Sequence, residues 1–80
     1  MDPWLSSVVD VIASSPGVPR ESLDLSDADV ERLLDLARVA ARESGEPTNA
    51  PLICYLVGRS VAASGKTLED VAAAVPGAEG

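Results

Sequence analysis

The chain contains no histidine and no phenylalanine, a single cysteine, and one tryptophan and one tyrosine among its 80 residues. Without histidine, the commonest general base and metal ligand near neutral pH is missing. Any metal would have to rely on carboxylates, and neither a serine nor the thiol of Cys54 has an imidazole to activate it. One cysteine cannot close an internal disulfide. With aromatics reduced to Trp4 and Tyr55, a core must be assembled from Leu, Val, Ile and Ala, a set suited to closely packed helices. Basic residues are scarce too, 6 against 13 acids, for a net charge of −7. Residues 1–25 and 26–46 carry −3 each and residues 47–80 carry −1. Such a surface repels phosphate backbones, which argues against nucleic-acid binding, and it suits a basic protein partner. Excess acid also keeps a small domain soluble. No long apolar run exists: Pro51 to Ala63 is interrupted by Arg59 and falls short of the ~20 residues a bilayer requires. No basic stretch precedes an apolar one at the N-terminus, so no signal peptide and a cytoplasmic location are expected.

Hydrophobic residues at 46% and charged residues at 24% describe a globular chain. A domain of this size buries only about 60–65% of the surface its unfolded form exposes, leaving a margin of a few kcal/mol. The apolar spacing predicts an all-α bundle of four helices, at about 3–14, 27–44, 49–64 and 67–75, within one domain over residues 2–76 and a frayed tail over 77–80.

Asp2 is placed to cap the first helix, with Pro3 at a position where its missing N–H costs nothing. Leu5, Val8, Val9 and Ile12 follow at helical spacing. Residues 18–25 form a connector with a short helical turn at Arg20 to Leu23 and with Leu23 and Leu25 turned inward. Ser26 caps the second helix, whose first turn is acidic, as the helix dipole favours. Its inward stripe is read as Val30, Leu33, Leu34, Ala37 and Ala41, widened by Leu36 and Ala40. Gly45 and Pro47 end it. The third helix is apolar most of the way round, through Leu52, Ile53, Leu56, Val57 and Val61, the pattern of a helix surrounded by others. Thr67 opens the fourth, with Asp70 set to cap it reciprocally.

The third helix also carries small residues at Ala50, Cys54, Gly58 and Ala62. This i, i+4 row predicts a close helix crossing near −50°, because Gly58 otherwise costs about 0.8–1 kcal/mol relative to alanine. Asp27, Asp29, Glu31 and Asp35 are read as dipole-stabilising and solubilising acids, without calcium-loop spacing; no metal site and no cofactor are expected. Cys54 reads as a packing residue. Tyr55 and Arg59, one turn apart, are candidate partner-binding residues, since both types anchor interfaces; they also suit a core edge and a surface ion pair. Trp4 has the same two readings, core lid or exposed anchor. Glu21-Ser22-Leu23 is a near match to the Asp-Ser-Leu motif of acyl and peptidyl carrier proteins, but it lies ahead of the helix-opening Ser26. A pocket lined by Leu23, Leu25, Tyr55 and Arg59 is the alternative, small-molecule-binding reading.

Trp4, the run Leu33-Leu34-Asp35-Leu36-Ala37-Arg38, and Ala50-Pro51-Leu52 through Tyr55-Leu56-Val57-Gly58 form a pattern with Gly65, Leu68-Glu69-Asp70 and Val71-Ala72. The pattern resembles a small actinobacterial family of uncharacterised helical domains. These occur alone or attached to molybdopterin-guanine dinucleotide biosynthesis proteins of the guanylyltransferase type. The chain departs from that pattern at Arg42 and Glu46. The resemblance implies an accessory or interaction role near molybdenum-cofactor maturation. Guanylyltransferase chemistry is not expected, because no glycine-rich nucleotide loop is present. The expected function is a non-enzymatic interaction module that docks on a larger enzyme, such as one handling the molybdenum cofactor, or on a second copy of itself.

Overall fold

The computed structural model describes residues 2–78, and these form helices and no strands. Helices α1 (Pro3–Ser14), α2 (Asp27–Ser44), α3 (Asn49–Ser64) and α4 (Leu68–Ala72) follow in order, with a 3₁₀ turn at Arg20–Leu23 between the first two. The chain divides into two compact units, residues 1–30 and 31–80.

In the first unit, the Asp2 carboxylate accepts from the Leu5 N–H at 2.9 Å and so caps α1. Leu5, Val8 and Val9 are half-buried, but Ala13 is the buried residue of the helix and Ile12, expected inward, is 49% exposed. Leu23 is half-buried and Leu25 is exposed. What ties this unit together is polar. The Arg20 guanidinium donates from Nε to Asp10 at 2.7 Å, from Nη2 to the Ser6 hydroxyl at 3.2 Å, and from Nη1 to Asp24. One cation thus joins two turns of α1 to the 3₁₀ turn. At the end of the unit, Ser26 and Asp29 make the complete reciprocal cap: the Asp29 N–H donates to the Ser26 hydroxyl at 3.0 Å, and the Ser26 N–H donates to the Asp29 carboxylate at 3.1 Å. The reciprocal arrangement expected at Thr67 and Asp70 is present only in one direction, from the Asp70 N–H to the Thr67 hydroxyl.

The second unit is built around an apolar core. Leu36, Val39, Val57, Ala72 and Ala78 are buried together, with Leu33, Ile53, Cys54, Val61, Leu68, Val71 and Val75 packed against them. The stripe of α2 that faces inward is therefore centred on Leu36, Val39 and Ala40, not on Leu34, which is 57% exposed. Arg32, on the same side of α2 as Leu36 and Val39, is 13% exposed and pairs with Glu69 of α4 at 3.3 Å. It also donates to the Ala78 carbonyl at 2.9 Å. Neutralising Arg32 in this way lets that side of α2 face the core.

Helix α4 is shorter than the expected 67–75. After Ala72 the chain tightens into i, i+3 bonds, Ala74 to Val71 and Val75 to Ala72, and Val75 precedes Pro76, where helical geometry is disfavoured. Of the tail expected to fray over 77–80, Ala78 is instead 3% exposed and belongs to the core, fixed by the Arg32 bond. Residues 79 and 80 lie outside the described residues.

Candidate functional site

The third helix holds the side chains that the sequence singled out, and the structure sorts them differently. Each i, i+4 step advances ~40° around a helix of 3.6 residues per turn, so the four small residues rotate by ~120° from first to last. Ala50 and Cys54 accordingly lie half-buried, whereas Gly58 and Ala62 are exposed. A Cβ placed on Gly58 meets nothing within 4 Å. The close crossing expected there is not formed, and Gly58 has no packing role within the described residues. Cys54 turns its thiol toward the Leu33 carbonyl at 3.9 Å, and burial pushes its pKa up. Cys54 packs against the apolar core, a setting that favours the thiol over the thiolate.

Tyr55 and Arg59 are brought together, with the Arg59 guanidinium 5.7 Å from the Tyr55 ring centre. Stacking over a ring stabilises an exposed cation by about 0.5–1 kcal/mol, and it fixes both side chains on one side of the helix. Leu52 and Leu56, expected in the core, share that side with them at i, i+3, i+4 and i+7. Leu52 is 59%, Tyr55 66% and Leu56 52% exposed. The core residues Ile53, Val57 and Val61 point the other way. Periodicity could have shown this: with apolar residues all round, the inward side is the one occupied by the β-branched set 53, 57 and 61. The signal was masked because leucine on the outer side looks identical to leucine in a core.

The remaining candidates are dispersed. Trp4 lies on α1, 71% exposed, so its reading as a core lid gives way to that of an exposed side chain. Leu23 and Leu25 belong to the first unit and Tyr55 and Arg59 to the second. Ser22 lies inside the 3₁₀ turn with its hydroxyl donating to the Pro19 carbonyl at 2.6 Å, and not at the mouth of α2, where a carrier serine belongs. Asp29 is engaged by Ser26, and Asp35 pairs with Arg38 at 3.4 Å and Arg32 at 3.9 Å. Among the described residues, no group of three or more His, Cys, Asp or Glu side chains is arranged to hold a metal ion. No helix among them is long and apolar enough to cross a membrane. Sequence reasoning missed Arg32 and the Arg20 cluster. Their only signal was arginine within acid-rich segments, which is equally the pattern of a solvated surface.

No curated protein and no solved structure matches the chain. A family model described as a domain of unknown function, DUF6457, matches residues 1–80. The chain, which carries an open Leu52–Tyr55–Leu56–Arg59 face on its third helix, belongs to the DUF6457 family.

Proposed function

We propose that this domain is a non-enzymatic interaction module that docks on a protein through the outer side of α3. The observation that supports this reading is the stripe of Leu52, Tyr55, Leu56 and Arg59, exposed on consecutive turns with Tyr55 and Arg59 stacked. Tyrosine and arginine are the residues that anchor interfaces once water is excluded, and an apolar side at i, i+3, i+4, i+7 is the form in which a helix enters a groove. Arg59 is the sole charge on α3, whereas the chain as a whole carries −7. The matching surface is therefore an apolar groove with an acidic group placed to meet Arg59. The family resemblance directs the search for that surface to enzymes of molybdenum-cofactor maturation.

The test is affinity capture of the tagged chain from its native cell, in parallel with Tyr55→Ala and Leu56→Asp, whose side chains are exposed and whose loss leaves the core intact. The expected result is a protein retained by the parent, released by salt, and reduced at least tenfold by either substitution. Equal retention by the parent and both variants would remove α3 as the docking surface.

A further inference from the structure

A cleft of about 450 Å³ lies within the second unit, between the C-terminal end of α2, the first turn of α3 and the segment that follows α4. Its floor is apolar, made by Ala40, Ile53, Val75 and Pro76, with Glu43 and Asn49 at its edge. A volume within about 300–1,000 Å³, a mostly apolar lining and a few placed polar groups are the attributes of small-molecule sites between helices.

Glu43 and Asn49 are the polar groups of the lining whose side chains are least engaged within the fold. Gly77, at a φ of +87°, brings its backbone so close that a Cβ there would stand 2.8 Å from Cγ and Cδ of Glu43. The Glu43 side chain, which lines the cleft, is thereby packed against main chain. Its ion pair with Arg42, at 3.7 Å and on the surface, is of the weak, solvent-screened kind. Asn49 uses its backbone N–H on the Glu46 carbonyl, while its side-chain amide has no partner among the described residues. Ser44, the third polar neighbour, is occupied: its hydroxyl donates to the Ala40 carbonyl at 2.7 Å and accepts from the Glu46 N–H at 3.2 Å. No basic side chain lines the cleft, and a chain of net charge −7 concentrates cations around itself and repels anions.

We infer that this cleft binds a small organic cation, with an apolar body on Ile53, Val75 and Pro76 and a primary ammonium donating to the Glu43 carboxylate and the Asn49 side-chain carbonyl. The site is separate from the outer side of α3, and neither proposal depends on the other.

Titration of the full ¹⁵N-labelled chain with 2-phenylethylamine, followed by amide chemical shifts, tests the inference, with 3-phenylpropanoate as the anionic control. The amine is expected to give saturable shifts confined to residues 40–44, 49–53 and 75–77, and the anion none. Glu43→Gln, nearly isosteric and exposed, should weaken the amine about fivefold, the upper range for a solvent-exposed ion pair. Val75→Phe, which fills the cleft and leaves Glu43 in place, should remove binding while the remaining amide spectrum confirms the fold. Absence of saturable shifts, shifts elsewhere on the chain, or equal binding of the amine by the parent and Glu43→Gln overturns the inference.

Discussion

Each of the two units is cross-linked by one arginine, and the depth of that arginine separates them. Arg20, its side chain 33% exposed, joins Asp10, Asp24 and Ser6 in a unit whose helix α1 buries Ala13 alone. Arg32, 13% exposed, joins Glu69 and the Ala78 carbonyl around a core in which Leu36 and Ala72 are fully buried. The first unit is held chiefly by charge at the surface, the second by apolar burial that an arginine closes off. Charge at a surface is screened by salt and contributes little per pair. Burial is not screened, so the two units should respond to different perturbations.

The largest effect is expected at the centre of the second unit. Leu36 is 0% exposed, and Leu36→Ala should cost about 2–5 kcal/mol through lost burial and the cavity left behind. In a domain with only a few kcal/mol in hand, urea unfolding followed by far-UV circular dichroism should show most of the cooperative transition gone. Retention of a parent-like midpoint would mean that the apolar cluster is not what holds residues 31–80.

Arg32→Met sharpens the comparison. It keeps the apolar stem and removes the charge-assisted bond to Ala78 and the Glu69 pair, for an expected loss of about 1–2 kcal/mol. Amide exchange at Ala78 should rise together with global unfolding. If only the last residues loosen and the midpoint holds, Arg32 is a tether for the chain end and not part of the core's support.

Gly58→Ala should act in the opposite direction. The glycine lies inside α3 with open space where a methyl group would stand, nothing being within 4 Å of it. Alanine should therefore stabilise by about 0.5–1 kcal/mol through helix propensity and a more restricted unfolded chain. A loss of stability in thermal melting would restore the close crossing that the row of small residues suggested.

That row illustrates what was legible in the sequence. Helix ends were readable because their signals are local: Asp2 with Pro3, Ser26 with Asp29, and the glycines after α2 and α3 act within a few residues of themselves. The α1, α2 and α3 boundaries follow from those signals. Which side of a helix turns inward was not readable, because it depends on residues distant in sequence. Val39 faces a core that contains Val57, Ala72 and Ala78, and Arg32 is turned the same way by Glu69 and by Ala78, all distant in sequence. The early end of α4 had a local signal in Pro76, whereas the ordering of Ala78 had none, because it is anchored by Arg32 of α2. Of the candidate site, the Tyr55–Arg59 pairing was visible in its one-turn spacing. Leu52 and Leu56 were not, because exposure has no local signature for leucine.

Arg20→Met probes the first unit. The guanidinium pKa is raised, chiefly by the hydrogen bond to Asp10, so Arg20 stays charged and its surface ion pairs are screened by salt. The substitution should speed amide exchange at residues 20–24, and 1 M salt, where the screening length is about 3 Å, should reproduce part of that effect in the parent. Exchange within residues 33–57 should remain unchanged in both experiments. A uniform response across the chain would erase the distinction between a charge-held and a burial-held unit.

The smallest expected effect belongs to Cys54, where burial raises the thiol pKa. A group whose pKa is higher folded than unfolded contributes stability that is complete below the unfolded value, about 8.5, and is lost as pH rises through the folded value. Stability should therefore decline between neutral pH and moderately alkaline pH by a small increment that Cys54→Ala lacks. Comparing urea midpoints of parent and variant at the two pH values isolates the thiol. Thiol-disulfide exchange with an aromatic disulfide reagent gives a second readout, slow in the folded chain and fast in urea. A fast reaction under native conditions would show that the half-buried side of α3 opens readily, and would place Cys54 nearer in character to the outer stripe than to the core beside it.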